Sequence, residues 1–524
     1  MQKHNMRTEK KSSIKNSATR LVLIALLVLI QTGWMVFLML KLNAYSTAIT
    51  LALTFIAVFI ALKIFGTHVN SAQRMPWLIV ITAVPFFGIC IYLLFGRSIV
   101  TKGMRRRFNG IESDILVNKL SQDETVIDEI AAKDKGIANQ CRYISHTARY
   151  PVYKNTDVEY YAEADISFAA QIEELKKAEH FIFMEYHAIE DALSFERLKK
   201  VLIEKAQSGV EVRIFYDDLG SIFFLNKEFI KRMREQGIQC RVFNPLKVVV
   251  NMFMNNRDHR KITVIDGRVG FTGGYNLADE YFNITHPYGY WKDTGIKLTG
   301  DAVRSLTASF LTMWNAIDHT DSQADYDRYL DAADNTYKAV DSECYVQPYS
   351  DNPLGQDRIG EDVYLNILKN AKDYVYITTP YLIITDEMER ELRLAVKRGV
   401  DVRIVTPGIP DKKMVYKITR SYYEPLCSAG VRIYEYTPGF CHAKQWVSDD
   451  EVSVVGTINM DFRSLYLHFE NAVFTYNKGL AAKVKKDMLN NFEEGREVTK
   501  DYAKDVIRPL KLGTCILRMI SPLL

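Results

Sequence analysis

The sequence predicts a duplicated α/β protein that follows an apolar, membrane-type N-terminal region. Two observations predict the duplication: a polar motif occurs twice, and the same order of strand and helix patterns precedes each copy. Three long apolar runs before residue 97 predict the membrane-type region. At 524 residues, with 48% hydrophobic and 25% charged residues, the chain is long enough to fold into more than one domain.

The repeated motif combines a histidine, a lysine, an aspartate and an asparagine. The members are His259, Lys261, Asp266 and Asn276 in the first copy and His442, Lys444, Asp449 and Asn459 in the second. Each residue of the second copy lies 183 positions after its counterpart, as 442 − 259 shows for the histidines. This constant register across four polar positions predicts one type of site that is built twice.

The segments ahead of the two motifs share their strand and helix patterns. AEHFIFME, QSGVEVRIFYD and EQGIQCRVFNP in the first half match AKDYVYIT, KRGVDVRIVTP and CSAGVRIYEYTP in the second. The first half predicts a strand over 181–185, a helix over 195–207 and a strand over 210–216. Strands separated by such helices favour a largely parallel or mixed central sheet in each half, covered on both faces.

The composition divides the chain into seven predicted segments. They are a basic tail (1–20), an apolar region of two or three spans (21–97), a juxtamembrane connector (98–150), the first repeat (151–319), a linker (320–358), the second repeat (359–499) and an amphipathic C-terminal segment (500–524). We expect the last segment either to contact a membrane or to form a final helix that packs on the second repeat.

The apolar runs cover about 21–42, 47–65 and 77–95. Their length and their lack of a polar stripe predict transmembrane helices of a multi-pass membrane protein. The basic tail and the basic cluster after residue 96 both favour the cytoplasmic side, which three full spans cannot satisfy. One run is therefore open to a re-entrant or interfacial placement, and the side that the catalytic part faces stays open.

Charge and cysteine content exclude several functions. A net charge of +4 is small for this length and argues against a protein that mainly coats nucleic acid. The seven cysteines are scattered without a CxxC pair, which argues against disulfides and a zinc site. Cys441 precedes His442, but the first copy has Asp258 at that place, so a Cys/His nucleophile pair is not predicted.

The two His-Lys pairs predict phosphodiester chemistry. In an extended strand, side chains two positions apart share a face, so each histidine should project with its lysine. Two such pairs, with the substrate-binding candidates Asn276 and Asn459, would surround a tetrahedral anion when they meet across a pseudo-twofold interface. One histidine can attack phosphorus while the other protonates the leaving oxygen. No carboxylate cluster with metal-ligand spacing accompanies the motifs, so we expect no metal and no other cofactor.

Four carboxylates have two expected roles. Asp266 and Asp449 complete the catalytic motif, although Asp266 and Gly267 lie between two apolar strands and first indicate a hairpin turn. Asp293 in WKDTGIKL and Glu470 in FENAVFTY each precede a similar apolar strand. These two are the candidates to accept the Nδ1 proton of an imidazole, which would leave its Nε2 free.

These residues resemble a known family. The paired H-x-K-x4-D motifs look like the phospholipase D superfamily, and the blocks MPWLIVITAVPFFGICIYLLFGR, GGYNLADEY and GTINMDFRS resemble those of bacterial cardiolipin synthases. The resemblance implies a duplicated phospholipase D-type domain with a pseudo-twofold active site. It also implies a phosphatidyltransferase that joins two phosphatidylglycerol molecules into cardiolipin and glycerol through a phosphatidyl-histidine, without a metal.

The resemblance assigns roles and leaves alternatives. It implies that His259 is the nucleophile, that His442 is the acid and base, and that the partner is anionic lipid of a bacterial cell membrane. A phospholipase D-type lipid hydrolase, or another headgroup phosphatidyltransferase, shares every motif. A nuclease ranks lower because apolar runs lead into the catalytic part through a basic cluster, which favours lipid over nucleic acid. An inactive membrane-bound binding protein ranks last because both His-Lys-Asn sets are intact.

Overall fold

The computed structural model of the chain describes residues 47–67, 70–95, 102–226, 228–245, 256–332, 337–507 and 509–523, with scattered positions between 26 and 41. Half of the predicted apolar run 21–42 and all of the basic tail therefore lie outside the described residues. The described part of the chain contains two large mixed sheets with matching strand order.

The first repeat is built on a seven-stranded sheet. Its strands in spatial order are β1 (Thr156–Tyr161), β9 (Gly295–Gly300), β7 (Val269–Gly273), β6 (Lys261–Ile265), β2 (Phe181–Tyr186), β3 (Glu211–Asp217) and β4 (Gln239–Phe243). β2, β3 and β4 are parallel to one another, and the remaining neighbours pair antiparallel. Every residue of β2 is buried, which explains its continuous apolar pattern.

The second repeat uses the same order. Its strands are β10 (Tyr345–Asp351), β19 (His468–Tyr476), β17 (Val452–Gly456), β16 (Gln445–Ser448), β11 (Tyr374–Thr378), β13 (Asp401–Pro407), β14 (Arg432–Tyr436) and β20 (Gly495–Glu497), while β12 (Leu382–Ile383) pairs with β18 (Met460–Asp461). Because β10 pairs with β19 along its whole length, the end of the predicted linker 320–358 belongs to the second sheet.

The helices follow the same division. The N-terminal helices are α1 (Thr47–Phe65), α2 (Ser71–Ala83), α3 (Pro85–Phe95), α4 (Lys102–Glu112), α5 (Glu124–Lys133) and α6 (Lys135–Tyr143). Those of the first repeat are α7 (Ala164–Leu175), α8 (Leu193–Gln207), α9 (Phe229–Glu235) and α10 (Val303–Ile317), followed by α11 (Gln323–Leu330). Those that follow are α12 (Ile359–Asn370), α13 (Asp386–Lys397), α14 (Lys413–Ser421), α15 (Tyr423–Ser428), α16 (Phe462–Tyr466), α17 (Lys478–Glu494), α18 (Thr499–Tyr502) and α19 (Leu512–Ile520).

The elements predicted for the first repeat are confirmed with small shifts at their ends. The predicted strands are β2 and β3, and the predicted helix is α8. α10 is buried along nearly its whole length and contacts strands of both sheets, so it is part of the common core. Its polar side chains are accommodated because residues such as Thr307 and Thr312 donate to carbonyls four residues earlier, at 2.9 and 2.8 Å.

Two short strand pairs join the repeats. β5 (Arg257–Asp258) of the first repeat pairs with β19, and β8 (Tyr290–Lys292) pairs with β15 (Gly439–Cys441) of the second. The ladder continues into the motifs, since the His259 amide donates to the Phe469 carbonyl at 2.9 Å and the His442 amide to the Lys292 carbonyl at 2.7 Å. Each motif histidine is thereby fixed to backbone of the opposite repeat.

The prediction that the third apolar run, 77–95, forms a single span is wrong. Residues 77–95 are divided between α2 and α3, and the two helices fold back on each other, as the 5.5 Å between the Trp77 and Tyr92 ring centroids shows. Pro85 begins the second helix after Val84, and a side chain at Gly88 would meet the Val80 carbonyl oxygen at 2.4 Å. Within the described residues, no helix combines the length and the apolar character needed to cross a membrane.

The predicted connector and the C-terminal segment both pack on the repeats. α4 to α6 pack into the hydrophobic core that both repeats share, and the Phe108 ring lies 5.2 Å from the Phe469 ring. α19 contacts α14 and α2, and the Arg518 guanidinium lies 3.9 Å from the centre of the Tyr422 ring. Leu512 and Ile516 on α19 remain exposed.

Candidate active site

The two His-Lys pairs lie between strands rather than within one, which corrects the predicted strand geometry. His259 follows β5 and Lys261 begins β6, while His442 follows β15 and Lys444 directly precedes β16. All four side chains are buried, with exposures of 8% and 6% for the histidines and 1% for each lysine. Each lysine ammonium donates to the carbonyl of its own histidine, and this contact holds the pair together in the absence of strand geometry.

Each imidazole is paired with a carboxylate of the other repeat. Nδ1 of His259 lies 3.0 Å from both carboxylate oxygens of Glu470, and Nδ1 of His442 lies 2.7 Å from Oδ2 of Asp293. Both carboxylates are fully buried. The structure therefore brings together the two imidazoles and the two carboxylates that the sequence singles out, but each carboxylate reaches across the interface instead of serving its own motif.

The carboxylates fix the tautomer of each ring. An ionised carboxylate only accepts hydrogen bonds, so Nδ1 of each histidine carries the proton and Nε2 presents a lone pair. Nζ of Lys444 lies 2.8 Å from Nδ1 of His442, but we assign the Nδ1 proton to Asp293 because only that contact joins a donor to an acceptor. Two neutral imidazoles with free Nε2 atoms suit a nucleophile and a base.

Burial and the neighbouring cations keep both imidazoles neutral. Burial, followed by the charge of Lys261, holds the pKa of His259 well below its usual range. Burial and the charge of Lys444 lower the pKa of His442 to about 4, although Asp293 opposes this shift. Added negative charge near the rings, such as a bound phosphodiester, would offset the cations and favour protonation of the imidazoles.

The pKa values of both motif lysines are lowered toward neutral pH. Burial lowers the pKa of Lys261 to about 7, with Glu470 opposing and Lys444 adding to the shift. Burial likewise lowers the pKa of Lys444 to about 8, with Asp293 and Glu470 opposing it. Both ammonium groups would be stabilised by an anion bound between the repeats.

The two histidines have different neighbours. His259 lies between two other imidazoles, those of His187 at 5.1 Å and His468 at 5.5 Å between ring centroids. Around His442 the rings are aromatic, and the sequence interpretation used none of them: they are Tyr281 at 5.4 Å, Trp291 at 5.3 Å and Phe440 at 5.7 Å.

Sequence reasoning missed His187 and His468 as neighbours of the motif. A signal for His468 exists, because it stands two residues before Glu470 and at the place of Trp291 in the first repeat, 177 positions earlier (468 − 291). His187 directly follows the end of β2, and strand ends commonly carry site residues in α/β folds.

The two motif asparagines are not equivalent. Oδ1 of Asn276 accepts from the Ala188 amide at 3.1 Å, and its Nδ2 donates to the Tyr281 hydroxyl at 2.8 Å. Oδ1 of Asn459 is buried and has no hydrogen-bond partner among the described residues. Asn276 therefore supports the ring that lies beside His442, whereas the side-chain oxygen of Asn459 is an unused acceptor.

The structure does not bring Asp266 and Asp449 to the imidazoles, which corrects their placement among catalytic residues. Both occupy hairpin turns with positive φ, 51° and 54°. The carboxylate of Asp266 accepts from three successive backbone amides, residues 179 to 181, each at 2.7 Å, and Asp449 does the same at residues 372 to 374, at 2.8 to 2.9 Å. These carboxylates tie a hairpin to the start of the central strand, as the turn pattern first indicates.

Comparisons with known proteins agree with this architecture. A family model described as "Cardiolipin synthase, PLD-like domain" matches residues 171–314 and again 364–493, and a second model, "Phospholipase_D-nuclease N-terminal", matches residues 52–97. The duplicated sheet and its paired site are therefore those of the phospholipase D superfamily. Within that superfamily, the chain belongs to the cardiolipin synthase family.

Individual relatives span almost the whole chain. It is 39% identical to an uncharacterized protein of Streptococcus mutans over 88% of this chain and 99% of that protein. It is 34% identical to a cardiolipin synthase of Geobacillus thermodenitrificans over 92% of this chain and 94% of that enzyme. Among solved structures, phosphatidylserine synthase of Haemophilus influenzae covers 69% of this chain and 93% of its own, with a TM-score of 0.53 and 14% identity, which supports the fold.

Proposed function

We propose that the paired site transfers a phosphatidyl group between two phosphatidylglycerol molecules and so produces cardiolipin and glycerol. The chain is a phosphatidyltransferase of the cardiolipin synthase family. The main support for this reaction is the pairing of each histidine with a carboxylate of the opposite repeat. This pairing leaves two buried, neutral imidazoles with free Nε2 atoms beside two lysines.

In the first half of the reaction, Nε2 of His259 attacks phosphorus of one phosphatidylglycerol. A bond from phosphorus to Nε2 forms, and the bond from phosphorus to the glycerol oxygen breaks. His442, protonated once the anionic phosphodiester is bound, gives its Nε2 proton to the leaving glycerol oxygen. Lys261 and Lys444 offset the charge that develops on the phosphoryl oxygens. Asn459, whose Oδ1 has no partner among the described residues, lines the substrate, while Asn276 holds the Tyr281 ring beside His442.

In the second half, the phosphatidyl group passes to a second phosphatidylglycerol. His442 now accepts the proton of the terminal hydroxyl, the hydroxyl oxygen forms the new bond to phosphorus, and the bond to His259 breaks. Both histidines return to their starting state, so the steps balance without an oxidant, a nucleotide or a metal. Water competes for the same intermediate, and a transferase must exclude it.

The reaction is tested by following three products together. The purified full-length protein is supplied with phosphatidylglycerol vesicles in EDTA, and cardiolipin, glycerol and phosphatidic acid are quantified. We expect glycerol and cardiolipin to appear about one to one, with little phosphatidic acid. Dominant phosphatidic acid at high phosphatidylglycerol density would identify a lipid hydrolase, and activity that only added magnesium restores would contradict the metal-free course.

We further propose that the apolar region before residue 97 anchors the enzyme in the cell membrane. The supporting observation is α1, where apolar side chains such as Phe55 (74% exposed) and Phe59 (68% exposed) are free of protein contacts on most sides. The exposed Arg105, Arg106 and Arg107 on α4 suit anionic lipid headgroups. Retention in alkaline carbonate-washed membranes is expected, and release into the wash would show a peripheral protein.

A further inference from the structure

Beside the nucleophile candidate, three ligand-type side chains converge. One ligand atom from each of His259, His468 and Glu470 lies within 4.8 Å of the other two. Nδ1 of His259 lies 3.0 Å from Glu470, and Nδ1 of His468 lies 3.7 Å from Oε1 of the same carboxylate. This three-residue group differs from the set that the proposed phosphatidyl transfer uses, because His468 takes no part in the transfer.

His468 is the member that the proposed reaction leaves unexplained. Its side chain is 11% exposed, and neither ring nitrogen lies within hydrogen-bond distance of a partner among the described residues, since the Glu470 carboxylate is 3.7 Å away. A buried polar group without a partner is costly and is often explained by a missing ligand. His187, the other imidazole beside His259, differs in this respect because its Nδ1 lies 2.7 Å from the Asp258 carbonyl oxygen.

The separations suit a small tetrahedral cation. Zinc binds imidazole nitrogen and carboxylate oxygen at about 2.0 to 2.2 Å, so neighbouring ligand atoms around it lie roughly 3.3 to 3.5 Å apart. The observed 3.0 Å and 3.7 Å bracket that separation, and the ligand atoms of His259 and His468 lie within 4.8 Å of each other. Imidazole ligands favour zinc and cobalt over magnesium and calcium, which take oxygen ligands.

We propose that His259, His468 and Glu470 form an inhibitory site for a borderline divalent cation such as Zn²⁺. The cation replaces the Nδ1 proton of His259, which leaves to solvent, and it occupies the carboxylate that orients the ring. The first repeat has Trp291 where the second has His468, so among the described residues this ligand set forms on the His259 side and not around His442. Nearby Lys261 and Lys444 oppose a cation, which limits its affinity and makes the inhibition reversible by chelation.

The binding step is tested with the metal alone. EDTA-treated full-length protein in detergent is titrated with Co²⁺, whose visible absorption reports four-coordinate ligation, and then with Zn²⁺, which should displace it. We expect one site in the wild-type protein and none in His468→Asn or His468→Gln. His187→Asn is the matched control, since it removes the other neighbouring imidazole and should leave the Co²⁺ spectrum unchanged.

The inhibition step rests on the proposed function and uses cardiolipin formation as its readout. We expect Zn²⁺ to inhibit the wild-type enzyme and His187→Asn at similar concentrations, and half-inhibition of both His468 variants to need at least tenfold more. Equal inhibition of wild type and folded His468 variants, or no Co²⁺ spectrum, would overturn the proposal. A protein that binds Co²⁺ but makes no cardiolipin in EDTA would instead contradict the proposed function.

Discussion

The two repeats share a scaffold and differ around their histidines. Strand order, hairpin aspartates and the crossed carboxylate are the same on both sides. The ring of His259 has imidazole neighbours, whereas the ring of His442 has aromatic ones. Duplication therefore accounts for the two buried imidazoles, and their different surroundings are consistent with our proposal that one acts as the nucleophile and the other as the acid and base.

The crossed carboxylates show the divergence in detail. Gly274 lies against Asp293, and an added side chain there would begin 2.0 Å from Oδ1 of that carboxylate. Its counterpart 183 positions later is Thr457, whose hydroxyl donates to Oε2 of Glu470. A glycine therefore leaves room for the Asp293 carboxylate, whereas a threonine hydroxyl donates to the Glu470 carboxylate. Each site has its own means of fixing the acid that orients the opposite histidine.

The largest effects are expected from the histidines themselves. His259→Ala and His442→Ala should each reduce cardiolipin formation by at least about 10⁴-fold, because neither ring can supply the function of the other. Initial rates with phosphatidylglycerol vesicles measure this, and circular dichroism checks that the variants are folded. Substantial turnover in either variant would contradict the division of roles.

The crossed pairing predicts which ring each carboxylate controls. Glu470→Gln and Asp293→Asn should each lower turnover by about 10²- to 10⁴-fold, because an amide can stabilise the wrong tautomer. Carbethoxylation by diethyl pyrocarbonate, followed by peptide mass spectrometry, separates the two rings. Glu470→Gln should change the reactivity of His259 and leave that of His442 unchanged, whereas pairing within a repeat would give the opposite result.

The lysines should rank next and act alike. Lys261→Ala and Lys444→Ala each remove one cation that faces the developing phosphoryl charge, and a loss of about 10²- to 10³-fold in turnover is expected by analogy with oxyanion donors. The loss should fall on the turnover number more than on the phosphatidylglycerol dependence. If either variant retained more than a tenth of wild-type turnover, that lysine would not face the phosphate.

The lysines also predict a limit at alkaline pH. Their lowered pKa values, about 7 for Lys261 and about 8 for Lys444, mean that the cations are present at lower pH and are lost as pH rises through this range. Rates at limiting phosphatidylglycerol should therefore fall above about pH 7 to 8. Arginine stays protonated, so Lys261→Arg should raise the pH at which the rate begins to fall. If that pH is unchanged, another group is responsible for the alkaline fall.

The smallest effects distinguish the two hairpins. Asp266→Ala removes a buried acceptor from three amides and should lower stability by about 2 to 4 kcal/mol. Asp449 is more exposed, so Asp449→Ala should cost about 1 to 2 kcal/mol. Midpoints of thermal unfolding in detergent compare the variants, with Asp266→Asn as the matched control because asparagine tolerates the positive φ. Loss of turnover without loss of stability would restore a catalytic role.

Sequence reasoning reached most of the scaffold and the central residues of the site. The constant register of the four motif residues predicted the duplication, and the position of Asp293 and Glu470 ahead of similar apolar strands singled out these two carboxylates. The crossing of those carboxylates was not predictable from local pattern, because it depends on β5 and β8 pairing with the opposite repeat.

Other features were missed for identifiable reasons. Alternation along a strand was assumed for His259 and Lys261, but the chain leaves the strand between them. Residues 77–95 were predicted as one span because hydropathy does not detect the break between α2 and α3 at Pro85. His468 drew no attention because the first repeat has no histidine at that place.

The central claim is that the repeats have divided roles, with His259 carrying the phosphatidyl group. Wild-type enzyme and the two histidine variants are mixed with phosphatidylglycerol, quenched and digested, and the peptides containing each histidine are compared by mass spectrometry under conditions that preserve phosphohistidine. The account predicts a phosphatidyl adduct on the His259 peptide of the wild type, and none in His259→Ala. An adduct on the His442 peptide, or turnover without any adduct, would contradict it.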